Sequence, residues 1–340
     1  MTYSRIFLSI LIGVICSVPM VGQDGSTAYN FLNLPTSTHI YGLGGVNIST
    51  VTDDINVTDQ NPALLGAEMD KQLGLSYMRY LGESDYAGVK FGAKAHEHGA
   101  WAVGLRYLGY GEMQSAEIDG TITGTFTAKD IAFNATYSHD ITDRLRGGIN
   151  IKYIYSAYEE YNAMALATDL GINYYDPEKD LSLSVVVANL GGQIKRFDES
   201  YDHLPIDVRL GWTKGLGSSP FRFSVTAWNL TKWKLPYYES GDGTTDVAPK
   251  LKESFGSNLF RHLIFAVDFI PSERFHIGVG YNHKTRTDMS TYSRNLLSGF
   301  SLAAGLNVKK FGFGVAFAQP HTGATTFMFN LTANINEFIH

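Results

Sequence analysis

Beyond its first residues the chain has no cysteine, no long apolar run and little charge of either sign. Its single cysteine, Cys16, falls in the N-terminal stretch, so the remainder has neither a disulfide framework nor a thiolate for catalysis or soft-metal binding. No later run reaches the ~18 consecutive apolar residues of a transmembrane helix. The net charge of -6 is mild and evenly spread, and there is no basic run to meet phosphates, so nucleic acid is not an expected partner. What is plentiful is glycine, at 35 residues, together with 20 tyrosines and 20 phenylalanines. Those types suit strands and turns more than helices.

The N-terminus reads as an export signal over residues 1–22. Arg5 supplies the positive region, Ile6 to Val18 the apolar region, and Gly22 a small residue before cleavage. A lipoprotein signal requires a small residue before its cysteine, and Ile15 stands there. The ~318 residues that follow exceed the usual one-domain length of roughly 100 to 200, yet they behave as one unit.

The organising signal is alternation of period two, which sends successive side chains to opposite faces of a strand. Ala87, Val89, Phe91 and Ala93 alternate with Gly88, Lys90, Gly92 and Lys94, and Ile206, Val208, Leu210 and Trp212 with Asp207, Arg209, Gly211 and Thr213. Phe275, Ile277, Val279 and Tyr281 alternate likewise with His276, Gly278, Gly280 and Asn282. The large aromatic and aliphatic residues share one face, and the other is small or polar, as in Gly312, Gly314 and Ala316. A soluble sandwich or propeller needs the reverse. About fourteen such segments of about ten residues match tilted membrane strands, with starts expected at 72, 85, 100, 129, 145, 163, 181, 204, 220, 262, 274, 299, 311 and 325. Tight connections such as Asp140 to Asp143 alternate with mostly longer ones, at Gly109 to Ala128, Gly191 to His203, Thr231 to Arg261 and His283 to Ser298. Tyr107, Tyr110, Tyr153, Tyr155, Tyr158, Tyr174, Tyr175 and Tyr281 near the strand ends are expected to form an interfacial girdle. The reading is an all-β, transmembrane, antiparallel up-and-down β-barrel over residues 71–340, in the outer membrane of a Gram-negative bacterium with its loops at the cell surface. Its partners include outer-membrane lipid and lipopolysaccharide.

A barrel this wide does not fill its lumen with its own side chains. Residues 23–70, rich in Gly, Asn and Asp without strand alternation, are the candidate lumen plug or periplasmic cap. Lys90, Lys94, Arg106, Lys152, Asp169, Arg209 and Asp268 are expected to face the lumen, since charge facing lipid is costly.

No motif indicates a catalytic, cofactor or metal site, and the expectation is a non-enzyme. His96-Glu97-His98 lacks a third ligand. Asp53, Asp54, Asn56 and Asp59 lack the fixed glycine and terminal Glu of an EF-hand. Gly42, Gly44 and Gly45 lack the helix of a dinucleotide loop, and Ser138-His139 has no orienting acid. The loop from Thr231 to Arg261 concentrates Trp233, Tyr237, Tyr238, Phe255 and Phe260 with lysines, a mixture enriched at interfaces. It serves equally well to bind a partner or to fold over the barrel mouth.

One resemblance adds to this. Tyr29-Asn30-Phe31-Leu32-Asn33-Leu34-Pro35, then Tyr41-Gly42-Leu43-Gly44-Gly45-Val46-Asn47, Asp53-Asp54 and Asn61-Pro62-Ala63-Leu64-Leu65 resemble the opening of the PorQ-type outer-membrane components of the type IX secretion system. The wider PorV and FadL-like barrel group shares Gly42, Gly44 and Gly45 and the element Asn61, Pro62, Ala63. The narrower resemblance implies a non-enzymatic anchor that holds a PorZ-like surface protein, alongside PorU and PorV-like components. The wider one implies a transporter of hydrophobic small molecules.

Overall fold

The structure, a computed structural model, describes residues 27–116, 121–197, 201–239, 250–288, 297–321 and 324–335. The expected export signal and the C-terminal Phe338 to His340 lie outside them. Fourteen strands form one closed antiparallel barrel. The first half holds β1 (Gln72–Arg79), β2 (Asp85–His96), β3 (Gly99–Ala116), β4 (Ile122–Thr142), β5 (Leu145–Tyr158), β6 (Tyr161–Asp176) and β7 (Leu181–Lys195). The second half holds β8 (Asp207–Gly215), β9 (Phe221–Ala227), β12 (Leu263–Ser272), β13 (Phe275–Asn282), β14 (Phe300–Val308), β15 (Phe311–His321) and β16 (Ala324–Asn334). Each strand pairs with its neighbour, and β16 closes on β1 from Gln72↔Asn334 to Arg79↔Phe327. Closure leaves no strand edge, the condition for a sheet to stand in lipid.

The alternation places its two faces as the sequence implies. In β1, Gln72, Gly74, Ser76 and Met78 point inward and are buried, while Leu75 and Tyr77 are exposed on the outside. The same sorting exposes Leu210 and Trp212 in β8 and buries Arg209 and Thr213. Large apolar side chains cover the exterior, and the core lies inside the barrel among small and polar wall residues.

Most strand starts fall within three residues of those expected, but β4 begins at Ile122 rather than near 129. The expected loop from Gly109 to Ala128 is largely a continuation of the β3–β4 hairpin, through a register shift between Gly109 and Glu112 where Gly111 takes φ 77°. Threonine and isoleucine over residues 121–127 keep the backbone extended. Apolar alternation fades there because residues 122–125 are exposed whichever face they occupy. The tyrosine girdle is also corrected. Tyr107 and Tyr153 face outward, whereas Tyr110 and Tyr158 turn inward, their hydroxyls meeting the buried Asp130.

Connections at one end, the turn end, are short: 97–98, 143–144, 177–180, 216–220, 273–274 and 309–310. The other, the loop end, carries the longest ones, although the connections 80–84, 117–121, 159–160 and 322–323 are short there too. The longest, between β9 and β12, contains a two-stranded sheet of β10 (Tyr237–Glu239) and β11 (Lys250–Lys252), then the helix α2 (Phe255–Arg261).

Val103 is exposed on the outer face of β3 between Trp101 and Tyr107, a mid-bilayer position if those rings mark the interfaces. Val103→Arg is expected to lower the unfolding free energy in lipid by ~2–4 kcal/mol, read by urea titration in vesicles. A loss as small as that of a surface substitution in a soluble protein sinks the membrane reading.

Candidate functional site

Residues 27–70 run through the barrel from the loop end to the turn end. Thr27 bridges His203 in the β7–β8 connection, and the Ala28 amide donates to the His203 carbonyl at 3.0 Å. At the opposite end the Lys94 amide donates to Asp70 Oδ1 at 2.9 Å. Between them the segment forms short helical turns and one α-helix, α1 (Thr38–Gly42), three of these elements being started by side-chain caps. Ser37 Oγ caps α1, Asp54 accepts from the Asn56 amide at 3.0 Å, and Asn61 accepts from the Ala63 amide at 2.9 Å. These are the short oxygen-bearing side chains that satisfy free N–H groups at helix starts.

The glycines Gly42 and Gly44 and the stretch Asn61 to Ala63 lie at close contacts between plug and wall. A Cβ on Gly148 of β5 would overlap the backbone of Pro62 and Ala63, and one on Gly171 of β6 would overlap the Asn61 side chain. Asn61 also donates from Nδ2 to the Ile48 carbonyl at 2.8 Å. Gly42 packs against Ala303 of β14, and Gly44, at φ 99°, sits against β13 where Gly280 leaves room for its backbone. Gly45 is also left-handed, at φ 87°. Backbone this close to a wall demands a glycine on at least one of the two surfaces.

Buried charge fixes the same contact. Lys90 Nζ bonds Asp59 Oδ1, and Asn134 Nδ2 donates to Asp59 at 3.0 Å. Burial raises the Asp59 carboxyl, but the Lys90 ammonium and Arg106 guanidinium override it and hold the group well below the usual carboxylate range. His39 Nε2 lies 2.7 Å from Asp268 Oδ1, its ring 4.1 Å from that of His276. Burial lowers His39, and the charge and hydrogen bond of Asp268 outweigh it, leaving it above its ordinary value. Arg209 Nη2 reaches Asn33 Oδ1 at 2.9 Å, and Arg106 Nη1 reaches the Leu32 carbonyl at 3.3 Å. The space ringed by Thr36, Asp59, Lys90, Arg106 and Asn134 has no volume for a water-sized molecule.

The space opens at the loop end. A cavity of about 460 Å³ is lined by Ala28, Tyr29, Ser156, Tyr158, Tyr161 and Phe197. The Phe197 ring lies 6.4 Å from Tyr29, stacked, and 5.2 Å from Tyr158, edge-on. Tyr29 holds a left-handed backbone, φ 61° and ψ 32°, uncommon for a bulky residue and costing about 1–3 kcal/mol. Its hydroxyl accepts from Gln193 Nε2 at 2.8 Å.

No family model and no curated protein matches the sequence. Among solved structures, the barrel is similar to the Ralstonia pickettii toluene transporter TbuX, with TM-score 0.51 and 11% identity over 90% of this chain and 98% of that one. A Pseudomonas aeruginosa FadL homologue gives TM-score 0.52 and 11% identity, covering 88% of this chain and 98% of the other. A deltaS2S3 mutant of the TodX monoaromatic hydrocarbon channel gives 0.54 and 11%, covering 89% and 100%. The fold is that of the FadL-type outer-membrane barrels. These comparisons give the narrower PorQ-type resemblance no support.

The other sequence-derived positions divide by face. Ser138 points inward and donates to the Leu65 carbonyl at 2.7 Å, whereas His139 points outward beside His96, so adjacent residues are held apart by the strand. Of the expected lumen charges, Lys152 pairs with Asp169 at 2.7 Å and Arg209 with Asp207 at 2.7 Å, while Lys94 is exposed near the turn end. In the long loop, Trp233 stacks on His262 at 5.0 Å and lies 5.4 Å from Phe255, and the Arg261 guanidinium sits 4.8 Å over Tyr237. Tyr238 pairs with Leu251 in the small sheet. Phe255, Phe260 and Trp233 nonetheless remain 69%, 51% and 41% exposed. Two cavity residues were named from sequence, Tyr29 in the opening motif and Tyr158 as a girdle residue, and neither was placed in a cavity there.

Lys90→Met leaves Asp59 buried without its cation and is expected to cost ~3–5 kcal/mol, read by denaturant titration. Combining it with Asp59→Asn should restore most of that loss, and strictly additive losses exclude the pair as a plug anchor.

Proposed function

We propose that this protein is an outer-membrane channel that admits small hydrophobic molecules from the loop end, with no catalytic step. The observation that carries the reading is the aromatic cavity at that end, lined by Ala28 and Tyr29 of the plug together with residues of the wall and of the connection after β7. Ligand sites of this size class are concave, mostly apolar and supplied with a few polar groups. Outer-membrane barrels put short turns in the periplasm and longer loops outside, so the cavity faces the cell exterior. The folds it resembles include a toluene transporter and a monoaromatic hydrocarbon channel. Below the cavity the ion pairs and close-packed glycines hold the plug in the lumen, so passage requires the plug to shift from this position. Expression in cells with an intact lipopolysaccharide leaflet should raise the entry rate of a hydrophobic fluorescent probe severalfold over a strain without the protein. An unchanged rate removes the channel reading.

A second reading, attachment of a surface protein of the PorZ type, is favoured by one feature of the long loop. Trp233, Phe255 and Phe260 stay exposed although the loop is folded and self-contacting, and large exposed aromatics at a rigid surface are the common anchors of protein interfaces. Replacing all three with serine is expected to abolish recovery of a co-purifying surface protein from detergent-solubilised membranes. Recovery that persists, or no partner with the native chain, removes this reading and leaves the channel.

A further inference from the structure

Six carboxylates are buried among the described residues: Asp59, Asp130, Asp169, Asp176, Asp207 and Asp268. Five have a basic partner, respectively Lys90, Lys152, Arg144, Arg209 and His39 for all but Asp130. Asp130, 1% exposed, is bonded by hydroxyls instead. Tyr110 Oη donates at 2.6 Å, Tyr158 Oη at 3.0 Å, and Ser156 Oγ completes the set. Two of those donors, Ser156 and Tyr158, also line the loop-end cavity.

The chemistry of that wall follows from where the hydroxyl protons go. With their protons turned toward Asp130, Ser156 and Tyr158 present oxygen lone pairs elsewhere, so these two wall oxygens act as acceptors. Tyr29, Tyr158, Tyr161 and Phe197 add four aromatic rings, whose faces are electron-rich. A second carboxylate, Asp202, lies 3.4 Å from the Gln193 amide that bonds Tyr29. The two basic side chains that precede Phe197, Lys195 and Arg196, contact Asn162 and, at 5.3 Å, the Tyr201 ring. Rings, acceptor oxygens and a carboxylate without a cation together match a positive charge carried on an apolar body.

We propose that the cavity selects organic cations, an alkyl- or arylammonium seated among these rings with its charge toward Asp130 through the Ser156 and Tyr158 oxygens. The proposal rests on the channel reading and narrows its substrate class. A neutral hydrocarbon would gain from the same rings only by burial and would leave the carboxylate with its hydroxyl partners alone.

The test uses the full mature chain in nonionic detergent, with calorimetric titration of benzyltrimethylammonium and of its uncharged isostere, neopentylbenzene. The cation should bind about tenfold more tightly. Asp130→Asn should bring the two probes within about twofold, and Phe197→Leu, which keeps apolar bulk and removes a ring, should weaken the cation while leaving the neutral probe nearly unchanged. If Asp130→Asn does not fold, the native comparison and Phe197→Leu still decide. Equal or tighter binding of the neutral probe overturns cation selection and leaves the channel reading intact. Binding of neither probe overturns the proposal, and the probe-entry rate in cells then separately decides whether the channel reading survives.

Discussion

Inside a bilayer no water is present to satisfy backbone N–H and C=O groups, so a sheet that crosses it must close on itself. With fourteen strands the closed cylinder is too wide for its own inward side chains to fill, and the rest of this molecule answers that constraint. Residues 27–70 occupy the lumen, and the wall is shaped to receive them. Gly148 and Gly171 make room for Asn61 to Ala63, while Gly280 makes room for the Gly44 backbone. The small inward residues therefore leave a groove fitted to one particular segment.

Charge inside the lumen follows from the same geometry. Groups excluded from the lipid face collect on the inner face, where burial by the plug makes an unpaired ion costly. The pairs Lys90–Asp59 and His39–Asp268 join plug to wall, and Lys152–Asp169 and Arg209–Asp207 brace the wall itself. Ion pairs are weak sources of net stability, and here two of them tie α1 and the turn at Asp59 to the wall. Against that background the hydroxyl-only environment of Asp130 marks the loop end as chemically different from the filled middle.

Much of the barrel was legible because membrane strands obey a simple rule of two faces. The inside-out sorting of Leu210 and Trp212 against Arg209 and Thr213 needs only strand period and the solvent on either side. The rule failed where its cause stops acting. Beyond the membrane both faces of β3 and β4 meet water, so their extension past Gly109 had no apolar alternation to reveal it. Tyr110 and Tyr158 looked like girdle residues by composition and turned inward by register. The glycines and Asn61 to Ala63 stood out as motif, but their reason, close approach to Gly148, Gly171 and Ala303, lies in parts of the chain about 90 to 260 positions away.

By itself the sequence determined the class of fold, the approximate strand order and the inward placement of charge, because each depends on local alternation and on the cost of charge in lipid. Tertiary structure alone decided which residues meet across the lumen. The cavity joins Tyr29 from the plug, Ser156 and Tyr158 from β5, Tyr161 from β6 and Phe197 from the connection after β7. Their convergence depends on barrel closure and on how deep the plug sits, and neither leaves a local periodic trace.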